Sequence, residues 1–220
     1  KGLETMEDQI AVFDGIPDST EIAGLQTMLK DFNKNFNVSP PIKKIKKVIP
    51  SNLANKYVLI QWEDTLQANT TYNFNFGNAI VDNNESNPLP YFNFAFSTGD
   101  KIDDLFVSGS VKDAMTLIKE NQTAKDNKMV VGLYKAGENL DYKQKPDYIT
   151  KVDEENYFEL NFLPKGEFVI IAFDDENQNS VYDAGKEKVS FLKEKISFNF
   201  LRSCDIRTSI VRSKPSYSRL

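Results

Sequence analysis

Between Tyr57 and Thr98 the chain alternates apolar and polar residues with a period of two, and the alternation breaks only at turn residues. In Thr71-Tyr72-Asn73-Phe74-Asn75-Phe76 it puts Tyr72, Phe74 and Phe76 on one face and Thr71, Asn73 and Asn75 on the other. Tyr91 to Phe96 repeats the pattern with Phe92, Phe94 and Phe96 inward. Successive strand side chains point to opposite faces, so this pattern predicts antiparallel strands buried on one side. The expected strands are Tyr57–Trp62, Thr71–Phe76 and Tyr91–Ser97, with a turn-rich segment at Asp82–Pro88 between the last two. Tyr72 opens an inward-facing strand just after a turn, in the arrangement Leu66-x-x-Asn69-x-x-Tyr72. That is the sequence form of a tyrosine corner in a Greek-key sandwich, with Leu66 and Tyr72 as its structural residues.

After Ser97-Thr98-Gly99-Asp100, which reads as a domain boundary, a second strand series follows. It comprises Leu105–Val111, Met129–Tyr134, Tyr157–Leu163, Glu167–Phe173, Lys188–Leu192 and Ile196–Phe200. Pro164-Lys165-Gly166 between two of these predicts a tight hairpin. Asp113–Asn121 suits a short helix or an irregular loop, and the polar, basic tail Arg202–Leu220 does not read as a finished strand. Before residue 57, Gln9–Asp14 reads as a short strand. Glu21–Phe36 spaces Ile22, Leu25, Met28 or Leu29, Phe32 and Phe36 roughly as a helix would, or forms an extended excursion ending at Ser39-Pro40-Pro41.

Composition narrows the chemistry. The 220 residues suffice for one or two domains with real cores. A net charge of −5 argues against a nucleic-acid footprint, which is basic. The chain has no histidine, which removes Ser-His-Asp and Cys-His nucleophilic systems and His-containing zinc sites. One cysteine, Cys204, allows no internal disulfide. No apolar run is long enough to span a bilayer as a helix, and the sequence starts at Lys1 as though processed or cut from something longer. The expectation is a protein that is not an enzyme.

Two segments resemble known families. Tyr57–Thr98 resembles the bacterial Ig-like domain of S-layer and surface proteins, through Leu66, Asn69, Thr70, Tyr72, Asp82, Asn87-Pro88-Leu89 and Phe96-Ser97-Thr98. Val107-x-Gly109-x-Val111-x-Asp113, Val131-x-Leu133-Tyr134, Phe158-x-Leu160 and Leu163-Pro164-x-Gly166-x-Phe168 resemble the prealbumin-like module of carboxypeptidase regulatory domains and collagen-adhesin B-type repeats. Their order, with Asn78–Asp82 and Phe173–Asn177, is similar to a family of Ig-like-domain lipoproteins of Bacteroidota. That resemblance covers about residues 36 to 200 and implies location at the outer membrane, on its periplasmic or cell-surface face. It also implies other outer-membrane or cell-surface proteins as partners, and membrane attachment only through a lipid anchor that this sequence does not contain.

Asp175-x-Asn177-x-Asn179-x-x-x-Asp183-x-x-x-Glu187 offers oxygen ligands in nearly the order of a calcium loop, with the Val181 carbonyl at the seventh position. Ser180 stands where the sharp-turn glycine belongs, and Glu187 falls one residue late. The competing reading is an Asx-rich loop that caps itself. If the loop holds an ion, that ion is structural calcium; no cofactor is required. Asp174, Asp175 and Glu176, and Glu63-Asp64, are carboxylates that strand alternation would point apart. Lys43-Lys44-Ile45-Lys46-Lys47 reads as a lysine-blocked edge strand, or as a patch for an acidic polymer or lipid headgroups. Tyr57, Trp62, Tyr72, Tyr91 and Phe92 would form a sugar-stacking platform only if they were exposed, and alternation assigns Tyr72 and Phe92 to the core. Asn69-Thr70-Thr71 is a glycosylation sequon, and Asp64-Thr65-Leu66 and Asp18-Ser19-Thr20 have the form of O-glycosylation sites used by Bacteroidota.

The expected fold is all-β: an Ig-like sandwich over residues 1–100, a prealbumin-like sandwich over 101–200, and a tail or the start of a further module at 201–220. The expected function is a non-enzymatic, envelope-associated scaffold or binding module within an outer-membrane complex. The alternatives are a carbohydrate-binding or adhesion module, and an accessory domain of an enzyme whose catalytic part lies elsewhere.

Overall fold

The computed structural model describes residues 10–14, 27–49, 57–63, 65–83, 85–89, 92–113, 128–137, 140–192, 194–198 and 206–210. The chain divides into two units, Lys1–Val38 with Ile42–Asp100, and Ser39–Pro41 with Lys101–Leu220. Their described elements are almost entirely strands.

Up to Ser97 the elements are β1 (Ile10–Asp14), β2 (Thr27–Leu29), the single-turn helix α1 (Phe32–Asn35), β3 (Asn37–Ser39), β4 (Ile45–Ile49), β5 (Tyr57–Trp62), β6 (Thr71–Gly77), β7 (Ile80–Asp82) and β8 (Phe92–Ser97). They form three sheets, ordered β1-β5-β4, β3-β6-β8 and β2-β7. The alternation in β5 and β6 does what the sequence predicts: Val58, Ile60, Trp62, Tyr72, Phe74 and Phe76 are all buried in one core. Phe92, Phe94 and Phe96 of β8 pack against that core while keeping some exposure. Phe74 lies between Trp62 and Phe96, with ring centroids 5.7 and 5.5 Å away.

The helical spacing over Glu21–Phe36 does not produce one helix. Thr27–Leu29 pairs as a strand with Ile80–Asp82, and only Phe32–Asn35 turns helically. Leu29, Phe32 and Phe36 still reach the core, so the pattern recorded burial rather than period. Ile22 and Leu25 lie outside the described residues, as does most of Asp113–Asn121.

The second series comprises β9 (Leu105–Asp113), β10 (Met129–Lys135), β11 (Tyr148–Lys151), β12 (Tyr157–Leu163), β13 (Gly166–Asp174), β14 (Val189–Phe191), β15 (Ile196–Phe198) and β16 (Ile206–Ile210). One sheet is ordered β11-β10-β13-β14, with β15 also on β13, and the other is β12-β9-β16. Val107, Leu133, Tyr148, Phe158, Leu163, Phe168 and Ile170 fill the core of this unit. The sheet built on β10 and β13 buries its other face too, through Val130, Tyr134, Ile149, Ile171 and Phe173. That explains the continuous apolar run Val169-Ile170-Ile171.

Two expectations are corrected here. Pro164-Lys165-Gly166 does not close a hairpin: β12 pairs with β9, whereas β13 pairs with β10, β14 and β15. Phe162 at φ 61° and the register shift between Leu160 and Leu163 bend the chain out of one sheet, and Gly166 at φ 152° starts it in the other. The tail does contain a strand, since Ile206–Ile210 runs parallel to β9 from Gly109 to Asp113. Its β-branched Ile206, Thr208 and Ile210 favour extension, but the neighbour that recruits it is about a hundred residues distant in the chain, which a local pattern cannot reveal.

Candidate functional site

The loop from β13 to β14 carries the strongest candidate chemistry. Asp175 follows the last residue of β13, and Glu187 lies two residues before β14, so the paired strands hold both ends of the loop. Both carboxylates are buried, at 5% and 3% exposure. Asp175 Oδ1 accepts from the Asn179 N–H at 3.0 Å, and its Oδ2 accepts from the Ser180 N–H at 3.0 Å. Glu187 Oε1 accepts from the Glu176 N–H at 3.1 Å, and Oε2 accepts from the Asp183 N–H at 2.9 Å. Asn177 and Asn179 each accept the N–H two residues on, and the Asn177 amide donates to Asp183. Gln178 and Ser180 sit at φ 59° and 62°, so Ser180 takes the left-handed turn for which glycine is usual.

The structure therefore brings Asp175, Asn177, Asn179, Asp183 and Glu187 into one loop, with their oxygens turned onto backbone donors. Calcium takes six to eight oxygen ligands, and here each oxygen of Asp175 and Glu187 accepts one backbone N–H, which leaves it a further acceptor site. Among the described residues no group of three or more Cys, Asp or Glu side chains is disposed to hold a metal ion. Burial pushes the Glu187 carboxyl above its ordinary range; the Asp183 and Glu176 N–H bonds oppose this, and the nearby Asp175 and Asp183 charges add to it. Tyr182 in the same loop lies over Phe173, with centroids 6.0 Å apart. The loop thus acts as a lid on the outer face of its own sheet.

The corner of the first unit is a second organised cluster. The Gln67 N–H donates to the Tyr72 hydroxyl at 3.0 Å, while Leu66 packs against the core. The Thr98 hydroxyl donates to the Gln67 carbonyl at 2.6 Å and accepts from the Thr70 N–H at 3.0 Å. The Thr98 N–H donates to the Thr70 carbonyl at 3.1 Å. Gly99 lies so close that a Cβ there would come within 2.9 Å of Asn69 Oδ1 and 3.0 Å of its Cα. These contacts supply a reason for the spacing of the two motifs: the turn before β6 and the end of β8 are one hydrogen-bonded unit. The roles of Gln67 and Gly99 are not visible in alternation, and Thr98 is marked only by the Phe96-Ser97-Thr98 element of the Ig-like resemblance.

The remaining candidates disperse. Trp62 is 1% exposed and Tyr72 3%, so neither can stack on a sugar; Tyr57 is exposed, and Tyr91 lies outside the described residues. Glu63 pairs with Lys44 at 3.2 Å, and Asp64, like Asp18-Ser19-Thr20, lies outside the described residues. Lys43–Lys47 leads into and forms part of β4, an edge strand. No helix among the described residues is long and apolar enough to cross a membrane.

Comparison with known proteins adds one positive finding. No curated protein and no solved structure matches the chain. The family match lies in the unit built around Tyr72 and Thr98: residues 27–98 match the model of the bacterial Ig-like domain.

Proposed function

We propose that the chain is a non-catalytic scaffold or binding module of a bacterial cell envelope, serving as a subunit of an outer-membrane protein complex. The observation that carries this reading is the use of its buried polar groups. Asp175 and Glu187, the buried carboxylates of the candidate loop, each accept two backbone N–H groups of their own loop and so brace it. The Ig-like match over residues 27–98 supports a surface or envelope role. The second unit, two packed sheets with the Val107–Asp113 and Leu163–Phe168 motifs, supports a prealbumin-like module beside it. Attachment to the membrane would come through a lipid anchor, and the lineage is proposed as Bacteroidota.

In this reading the 175–187 loop is a structural brace. Each oxygen of Asp175 and Glu187 accepts one backbone N–H and keeps a further acceptor site, so the same loop could hold structural calcium without losing these bonds. Native co-purification from solubilised envelopes tests the function. A protein partner retained at constant stoichiometry supports it, and a chain that always elutes alone removes it. A carbohydrate partner instead would show as binding on a glycan array that is lost on Tyr57→Ala.

A further inference from the structure

The lysine cluster at 43–47 gains a meaning from the register of β4. Ile45 pairs with Trp62 and Val48 with Ile60, so two residues, Lys46 and Lys47, stand opposite the single Gln61. Ile45 and Val48 both pack on the core although they are three apart, which a regular strand forbids. The bulge therefore turns two consecutive lysines outward, and both are exposed. β4 is an edge strand, and a bulge with lysines blocks the addition of another strand through its main chain. What this edge offers a partner is charge.

The same sheet face carries apolar surface beside the charge. Lys47 lies opposite Gln61 and Ile49 opposite Leu59, so Lys47, Ile49, Leu59 and Tyr57 share the side of the sheet turned away from the core. Ile49 and Leu59 are half-buried, and Tyr57 is 40% exposed. Lys44 is paired with Glu63, and Asp14 is in register with Tyr57, at the far end of the face from Lys47. Lysines at one end of the face, with half-buried aliphatic side chains running from them toward a partly exposed tyrosine at the other end, complement a surface that is itself anionic and has an apolar interior.

We propose that the outer face of the β1-β5-β4 sheet docks onto the anionic headgroups of a phospholipid bilayer, with Lys46 and Lys47 as the principal contacts and Tyr57 at the interface. This is independent of the complex proposed above, because it needs lipid and no protein partner. Each lysine near an anionic bilayer contributes about fivefold in affinity. Purified chain would be sedimented with vesicles of phosphatidylcholine, with and without phosphatidylglycerol, at rising sodium chloride. Binding is expected only to the anionic vesicles and should weaken as salt rises. Lys46→Glu/Lys47→Glu should reduce it by at least about 25-fold, while Lys143→Glu/Lys145→Glu, the same charge change at other exposed lysines, should leave most of it intact. Trp62 fluorescence checks that the variants are folded. Absence of binding to anionic vesicles, equal loss in both double variants, or binding to a soluble anionic polysaccharide but not to vesicles would overturn the proposal.

Discussion

Tyr72→Phe isolates the hydroxyl of the corner. The ring is 3% exposed and stacks on Phe96 at 5.8 Å, so phenylalanine keeps the packing and removes only the acceptor for the Gln67 N–H. A net hydrogen bond contributes about 0.5–1.5 kcal/mol, rising to about 1–3 if the orphaned donor stays dry. Gln67 is exposed, so water can replace the lost acceptor, and the lower range applies, about 1 kcal/mol. For a domain of this size that is about 4–8 °C in Tm. The assay reads the first unit alone, because Trp62 is the only tryptophan and is buried in the same core. Urea titration followed by its fluorescence should show a lower midpoint with an unchanged slope. Thr98→Val removes the hydroxyl that ties Gln67 and Thr70, so the two changes act on one turn. Their double variant should depart from additivity by at least about 0.5 kcal/mol. An unchanged midpoint for Tyr72→Phe, or strict additivity with Thr98→Val, would refute the view that the corner is one unit.

Phe74→Ala should cost the first unit about 3–5 kcal/mol, since this side chain is fully buried between Trp62 and Phe96; the tryptophan transition reports it. Gly132→Ala should destabilise the second unit by about 1–3 kcal/mol, because its new Cβ would lie 2.5 Å from Pro146 Cγ, and calorimetry should shift a transition that Trp62 does not see. Glu187 titrates higher when folded than unfolded, so its contribution is fully present below the unfolded pKa and is lost as pH rises through the raised folded value. Glu187→Gln should therefore gain on wild type as pH rises through that window, as read from urea midpoints against pH. If the 175–187 loop only caps itself, chelator and added calcium should both leave Tm unchanged, whereas a calcium-dependent rise would show that the loop holds structural calcium.

The strands that face one core were legible because their environment has a period of two. Tyr72, Phe74 and Phe76 have protein on one side, and the sequence says so. Tyr148–Lys151 leaves no alternation in the sequence because Tyr148 and Ile149 are both buried, one in each of the two clusters on either face of the sheet. β16 and the crossing at Pro164–Gly166 depend on which strand lies alongside, a property of distant pairing rather than of local composition. At the 175–187 loop the sequence showed which oxygens gather, but an oxygen bound to calcium and one bound to an N–H are spelled by the same residues. The bulge at Lys46 was hidden for a similar reason: only the partner strand reveals that two residues face one.

The central claim, a module whose work is docking within an envelope complex, is tested most directly by native electrophoresis of gently solubilised envelopes from the source organism, probed for this chain. The account expects a single band well above the protein's own size that sharpens to the same composition on repeated purification. Migration as the isolated chain under every solubilisation condition would contradict it.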